Sequence, residues 1–293
     1  MVKVASLIIT YNPNIDKLKE LINTIEEQFE RCLIVDNGSK NIASLTNTVD
    51  NQRIISLNEN TGIAHALNVG IDRLMKEGYE WVITFDQDSQ PESNLNEVFQ
   101  KLSITKEDAV IGTYYIDNNW SPEERQNNVS SFKDYDETFY VITSGCFLNT
   151  TAWLEVKGFD DSLFIDWVDF DYNKRLILRG YRVYRTNKLI MKHEVGEVIQ
   201  RPKLLKQALG LNRPIRDHSA TRQYYIFRNR IIFYKRYAND NMVKSLIRSL
   251  IAIREVILLP KPQKKIHASI KGIIDGLKYR VKNDEFFKKY VAK

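Results

Sequence analysis

Cysteine is scarce in this chain, with two among 293 residues, Cys32 and Cys146. Both sit in apolar runs, Arg31-Cys32-Leu33-Ile34-Val35 and Ser144-Gly145-Cys146-Phe147-Leu148. That usage excludes a disulfide framework and a thiolate metal site, and both thiols read as buried, reduced and structural. Long hydrophobic runs are missing too: no apolar stretch approaches the roughly 18 residues of a spanning helix. Met1–Thr10 has a short apolar core and runs into Tyr11-Asn12-Pro13 without a cleavage pattern, so a first strand is expected there, not a signal peptide. The expectation is a cytoplasmic chain that meets a membrane, if at all, only peripherally at the inner face. No internal repeat or low-complexity segment is present. Acid is scarce at one end. Residues 201–293 hold 23 Lys and Arg against 6 Asp and Glu, a balance of +17, while residues 1–200 hold 20 against 31, or −11. Such a split suggests a polyanionic surface partner for the basic region, a membrane or a nucleic acid.

What is present is ordinary globular material, 43% hydrophobic and 27% charged. The length suits one large α/β domain or a domain with an appendage. Strands and helices alternate early. Lys3–Thr10 reads as a strand, and Ile15–Glu27 as a helix with Leu18, Leu21, Ile22 and Ile25 at helical spacing. Cys32–Val35 is a second strand ending in the turn signal Asp36-Asn37-Gly38-Ser39. Arg53–Leu57 is a third strand, Ile63–Met75 a helix, Trp81–Phe85 a fourth strand and Asn94–Leu102 a helix. This alternation predicts parallel βαβ units with right-handed crossovers. Ala109–Ile116 and Tyr140–Leu148 then read as strands around a polar stretch, Asp117–Glu137, whose lack of an apolar period predicts a long surface loop. Val168–Leu178 reads as a helix closed by Arg179-Gly180. Tyr181–Arg185 and Leu189–Lys192 read as short strands. Past Arg201 the helical candidates are Thr221–Tyr237, Met242–Leu259 and Ala268–Val281, with Pro260 and Pro262 as breaks. The expected division is a domain over 1–200 and a basic helical region over 201–293.

Asp86-Gln87-Asp88-Ser89 follows the buried run Glu80-Trp81-Val82-Ile83-Thr84-Phe85 directly. Acids at i and i+2 of an extended tip face one way, and strand tips are where open α/β sheets bind ligands. Paired carboxylates suit a hard divalent cation that also holds phosphates. An isolated pair of this kind reads as a solvated Asx turn, so the rest of the chain decides. Thr10-Tyr11-Asn12 and Asp36-Asn37-Gly38 follow the first two strands, where a nucleotide base could stack on Tyr11 and bond to Asp36. Asn60-Thr61-Gly62 opens a helix, as a phosphate or ribose site or as a simple N-cap. Phe164-Ile165-Asp166-Trp167-Val168-Asp169-Phe170-Asp171 interleaves acids with aromatics. Asp169 and Asp171 fall in a first helical turn, either as acids that suit the dipole or as a general base whose pKa neighbours raise. His193 ends a strand and, with the Asp pair, would complete a site for Mn²⁺ or Mg²⁺.

In their order these pieces resemble family 2 glycosyltransferases of the GT-A fold, within them the bacterial rhamnosyltransferase-like branch. The matching pieces are Leu7-Ile8-Ile9-Thr10-Tyr11-Asn12, Ile34-Val35-Asp36-Asn37-Gly38-Ser39 and Asn60-Thr61-Gly62-Ile63-Ala64-His65-Ala66-Leu67-Asn68-Val69-Gly70. Phe85-Asp86-Gln87-Asp88-Ser89, Thr143-Ser144-Gly145-Cys146, the run from Gly158 to Asp169, and His193 follow. Tyr224-Tyr225-Ile226-Phe227-Arg228-Asn229 looks like the branch's C-terminal segment.

The resemblance implies a Rossmann-like, mostly parallel sheet flanked by helices. Thr10, Tyr11, Asn12, Asp36, Asn60, Gly62 and Asp86 would bind the nucleotide sugar. Asp88 and His193 would hold a divalent cation, with Asp86 as a possible third ligand. Asp169 would be the catalytic base. Val168 stands where relatives often carry an acid, and Asp171 where they often carry Glu, so Asp166 and Asp171 remain its rivals. Trp167, Arg228 and Asn229 would lie toward the acceptor. The implied reaction is inverting transfer of L-rhamnose from dTDP-β-L-rhamnose to a glycan or lipid-linked glycan of the bacterial surface. UDP-galactofuranose or a UDP-hexose is the alternative donor. A basic nucleic-acid-binding module is the remote reading; it leaves Asp86, Asp88 and His193 unexplained, so no nucleic-acid partner is expected. A catalytically dead nucleotide-sugar-binding subunit is weaker still, because all the expected acids are present. Met242–Leu259 reads as an interfacial helix or as a face that packs on protein, including a second copy of the chain.

Overall fold

A computed structural model describes residues 1–117, 120–193, 198–199, 202, 210, 215–237 and 242–290. The chain divides into two compact units, Met1–Phe164 with Val168–Glu194, and Ile165–Trp167 with Val195–Lys293.

The first unit is built on a nine-stranded sheet. Its strands are β1 (Val4–Thr10), β2 (Cys32–Asp36), β3 (Ile54–Ser56), β4 (Trp81–Asp86) and β5 (Gln90–Pro91), then β6 (Asp108–Asp117), β7 (Asp136–Glu137), β8 (Cys146–Asn149) and β9 (Arg182–His193). Their order is β3-β2-β1-β4-β8-β6-β9-β5, with β7 beside β9. The β3-β2-β1-β4 half is parallel, β8 runs antiparallel to both neighbours, and β6 pairs β9 in parallel. Every residue of β1 and β2 is buried, which is why these strands read as unbroken apolar runs.

Helices cover both faces. α1 (Ile15–Glu26) starts at Asn14, whose side chain accepts from Asp16 and Lys17 N–H, and buries Leu18, Leu21, Ile22 and Ile25. These pack with Val4, Ile8, Ile34, Trp81, Ile83 and Phe85 in one core. Burying each such side chain contributes about 1.5–3 kcal/mol. The opposite pleat of β1 takes α3 (Ile63–Lys76), where a Cβ on Gly70 would run into Leu7. α2 (Ile42–Thr46) and α4 (Leu95–Gln100) are short.

Three sequence expectations are corrected. Asp117–Glu137 is not a plain loop, because α5 (Pro122–Ser130) forms within it. Ser121 accepts from Glu124 N–H, Glu124 reaches back to Ser121 N–H, and Pro122 opens the first turn. The helix buries none of its residues, so it has no apolar period to read. In place of a strand over Tyr140–Leu148, the strand is Cys146–Asn149, and Gly145 at φ +72° ends the irregular stretch before it. The two short strands between 181 and 192 are one, β9. α6 (Thr150–Glu155) and α7 (Val168–Leu178) complete the unit.

The second unit is helical and basic. Ala220–Tyr237, Met242–Ile257, Pro262–Lys278 and Glu285–Tyr290 are its described helices. Phe227, Ile231, Val256, Leu258, Leu259 and Ile273 form its core. Val198–Ile199 and Ile215–Arg216 make a two-stranded ladder.

Candidate active site

The C-terminal ends of β1, β2 and β4 lie side by side, with Thr10 opposite Asp36 and Ile9 opposite Asp86. Asp36 is fully buried. Its carboxylate accepts from Thr10 Oγ1 at 3.0 Å, from Ser39 N–H at 2.9 Å and from the Ser39 hydroxyl. Ser39 Oγ in turn accepts from Asn12 N–H at 2.7 Å, and Asn12 Oδ1 accepts from Lys40 N–H at 2.8 Å. Asn12 takes a left-handed φ of +50° within this web. Thr10, Asn12 and Asp36 therefore organise the two turns, while Tyr11 stays 45% exposed and able to stack. Tyr11 N–H donates to Gln87 Oε1 at 2.7 Å. Gln87 thus ties the first turn to the acid pair, a bridge that the sequence reading missed because a lone Gln carries no pattern.

Asn60 and Gly62 follow β3. Asn37 Nδ2 donates to Asn60 Oδ1 at 3.1 Å, and Asn37 Oδ1 accepts from Thr61 N–H and Oγ1 at 2.9 and 3.0 Å. Gly62 caps α3 at φ +89°. A Cβ there would lie 2.7 Å from the Phe164 carbonyl oxygen and ring. Ile63 N–H donates to that same carbonyl at 2.8 Å. The opening of α3 is thereby joined to the stretch that leads toward Asp169.

Asp86 is half-buried at the tip of β4, and Asp88 is exposed in the turn after it. Ser89 Oγ lies 2.7 Å from Ser144 Oγ, and Asp86 N–H points at Ser144 Oγ from 3.4 Å. The turn enters β5, where Gln90 faces Lys192 and Pro91 faces Met191. The ladder ends at Gln90 and Lys192, the residues that adjoin Ser89 and His193 in the chain. On the other side of β9, Asp117 pairs with His193. Residues far apart in sequence thus meet at one sheet edge. The side chain of His193 lies outside the described residues. Among the described residues, no group of three His, Cys, Asp or Glu is arranged to hold a metal ion. Asp86 and Asp88 do supply hard oxygen donors suited to Mg²⁺ or Mn²⁺.

Asp169 opens α7, half-buried, with Oδ1 accepting from Phe170 N–H at 2.9 Å. Its charge reaches Cys146: burial pushes that thiol up, and Asp169 adds to the push. Cys146 faces Thr84 across the β4–β8 pair, two residues before Asp86. Asp169 therefore lies within electrostatic reach of the start of β8, the strand beside β4. Asp171 is different. Its carboxylate accepts from Arg175 Nε at 2.9 Å, and both side chains are 1% exposed. Arg175 Nη1 also donates to the Val156 carbonyl at 2.7 Å. As a rival base Asp171 is corrected to a structural ion pair, because it is sealed away from any substrate.

Within the second unit, Asp166 is held by Arg222, with Nε 3.2 Å from Oδ2 and Nη2 3.1 Å from Oδ1. Its rivalry for the base is weakened by that pairing. Asn229 is fully buried, and its amide donates to the Ile165 and Asp166 carbonyls at 2.9 and 2.8 Å. It is a brace, and burial removes it from the surface an acceptor could touch. Trp167 packs its ring 5.2 Å from Phe233. Arg228 Nε donates to Asn229 Oδ1 at 2.8 Å, and its guanidinium lies 4.7 Å from the Tyr225 ring centre. Phe164, Asp166 and Trp167 all adopt positive φ, +65°, +62° and +68°. Such backbone costs about 1–3 kcal/mol per residue and gathers at functional sites. No glycine marks it, so the sequence was silent.

Comparison with known proteins adds to this geometry. The glycosyl transferase family 2 profile matches residues 6–160. The chain is 29% identical over 291 residues to the dTDP-rhamnosyl transferase RfbF of Shigella flexneri, covering 94% of this chain and 92% of that one. Residues 1–349 of TarS from S. aureus superpose with a TM-score of 0.52 at 14% identity, over 94% of this chain and 89% of theirs. GalNAc-T7, solved with UDP, GalNAc and Mn²⁺, superposes at 0.58 and 11% identity, over 100% of this chain and 58% of that one. At such identities the two solved structures show a common fold.

Proposed function

The chain belongs to glycosyl transferase family 2 and is a glycosyltransferase of the GT-A fold, and from that premise we propose that it transfers L-rhamnose from dTDP-β-L-rhamnose to a glycan hydroxyl with inversion. The observation that carries the donor is the 29% identity, along 94% of the chain, to a dTDP-rhamnosyl transferase. The joined ends of β1, β2 and β4 support the nucleotide site, with Tyr11 against the base and Asn60 and Gly62 toward the ribose or phosphates. Asp86 and Asp88, with His193 nearby in the backbone register, would hold a divalent cation. Such a cation, when bound, offsets the charge on the departing diphosphate. Asp169 takes the proton of the acceptor hydroxyl as it attacks the anomeric carbon. One carboxylate base acting on the acceptor suits a single in-line displacement, in which aligning the two reactants supplies much of the rate. Asp169→Asn is expected to lose transfer by roughly 10²–10⁴-fold, the usual contribution of a general base, while dTDP still raises the melting temperature. Wild-type turnover in that variant would remove Asp169 from the chemistry.

The first unit is the catalytic part in this reading, and the basic helices meet a lipid-linked acceptor. Ile247, Leu250, Ile251, Ile270 and Ile274 are 44–54% exposed on two neighbouring helices, and no described helix is long and apolar enough to cross a membrane. Apolar faces beside Arg248, Lys264, Lys271 and Lys278 suit an anionic bilayer surface. The chain is expected to co-sediment with phosphatidylglycerol-containing vesicles at low salt and to come off as salt rises. Failure to bind them at low salt would refute this, and a salt-resistant dimer covering the same residues would replace it.

A further inference from the structure

The stretch between α5 and β8 carries an aromatic side chain that the transfer scheme has not used. A lone exposed tyrosine is ordinary on a protein surface, but Tyr140 is 52% exposed on a backbone hydrogen-bonded at its own N–H and at both neighbouring carbonyls. Its own N–H donates to Thr138 Oγ1 at 3.1 Å. Asn173 Nδ2 donates to the carbonyls of both its neighbours, Phe139 at 3.0 Å and Val141 at 2.7 Å. Asn173 and Val141 are each 2% exposed, so these anchors are buried while the ring of Tyr140 reaches water.

The anchors also fix where the ring stands. Asn173 lies four residues after Asp169 on α7, so the two share one face of that helix. By holding residues 139 and 141, Asn173 ties the Tyr140 segment to α7 one turn beyond the proposed base. The Tyr140 ring lies 5.3 Å from the ring of Phe170, the residue after Asp169, at 78°. Phe139 packs 4.0 Å from Tyr140 and steadies it from behind. The same stretch then runs to Thr143, whose carbonyl accepts from Thr84 Oγ1, and to Ser144, which holds Ser89 and Asp86. Tyr140 thus belongs to a segment bonded to the base helix at one end and to the acid-pair turn at the other.

A pyranose presents hydroxyls around its rim and a patch of C–H on its face. A carboxylate answers the first and the face of an aromatic ring answers the second. We propose that Tyr140 is a stacking platform for the acceptor, taking the C–H face of a pyranose while one hydroxyl of that sugar reaches Asp169. This rests on the reading of the chain as a transferase with Asp169 as base. A rigid ring suits the task because little side-chain freedom is lost when the sugar docks.

The test is saturation-transfer NMR on the full chain with dTDP and Mg²⁺ present. The probes are methyl α-L-rhamnopyranoside, methyl β-D-galactopyranoside, methyl β-D-glucopyranoside and methyl N-acetyl-β-D-glucosaminide. At least one should receive saturation on the C–H protons of a single face. Tyr140→Ala should cut that signal by about five- to tenfold, the scale of one aromatic contact, while Tyr140→Phe and Tyr140→Trp keep it. No signal from any probe with the wild-type chain overturns the inference. So does a Tyr140→Ala signal equal to the wild type's, or a loss in Tyr140→Phe as deep as in Tyr140→Ala. The parent reading fails separately: it falls if the wild-type chain releases no dTDP from dTDP-rhamnose, and the platform falls with it.

Discussion

Replacing Asp171 by Asn separates two roles that look alike in sequence. Asp171 and Asp169 both sit in the first turn of α7, yet only Asp171 is buried against a guanidinium, 2.9 Å from Arg175 Nε with both partners 1% exposed. Asn keeps the shape and removes the charge. Arg175 then loses the carboxylate 2.9 Å from its Nε, while its bond to the Val156 carbonyl remains. Breaking a buried pair from one side costs about 3–5 kcal/mol. That is a large share of the roughly 5–15 kcal/mol that holds a domain folded. In melting temperature it amounts to about 6–20 °C for a domain of this size. The assay is a thermal melt beside a urea titration, reading the midpoint at constant slope. Replacing both partners, Asp171→Leu with Arg175→Met, should recover most of the loss, since a well-packed apolar pair is often as stable as a buried ionic one. An Asp171→Asn chain that melts with the wild type but no longer transfers sugar would refute this reasoning and make Asp171 a chemical residue.

Gly62→Ala should cost about 2–4 kcal/mol, combining a φ of +89° that side chains avoid with strain on the 2.8 Å bond from Ile63 N–H to Phe164. It should also weaken dTDP binding; a melt within about 0.5 kcal/mol of wild type, the range of an ordinary surface change, would show that the clash is relieved elsewhere. His218 is held below its usual value of 6.5, first by burial and then by Arg222, with Asp166 and Asp217 pulling the other way. The unfolded chain therefore takes up this proton first, so stability should fall as the pH drops below about 6.5. His218→Gln should flatten that part of the curve, and an unchanged slope would count against the assignment.

Much of the first unit could be read from residues alone, and the reason is burial. β1, β2 and β4 are sealed on both faces, and α1 and α3 each bury one stripe, so apolar period and run length report them directly. α5 was invisible to the same reading because it buries nothing, although Ser121-Pro122-Glu123-Glu124 held its capping signature in plain view. At the site, the acids at the strand ends were legible because strand ends and turn residues are local signals. Their partners were not. Arg175 stands at i+4 from Asp171 and could have been paired, but nothing local says that both are buried. The positive φ of Phe164, Asp166 and Trp167 falls on residues that favour other conformations. Asn229, which braces two of their carbonyls, lies more than sixty residues away in sequence. Gln87 acts through one long-range hydrogen bond and Asn173 through two, and these leave no periodic trace.

The central claim is that the joined strand ends bind a dTDP-sugar and activate it. Its most direct test is nucleotide release without acceptor, with Mg²⁺ or Mn²⁺, across dTDP-rhamnose, UDP-galactofuranose, UDP-glucose and GDP-mannose. The account predicts selective release of dTDP, lost in Asp88→Ala. Selective release of UDP would overturn the donor, and release from none of them, with no thermal shift by any nucleotide, would contradict the account itself.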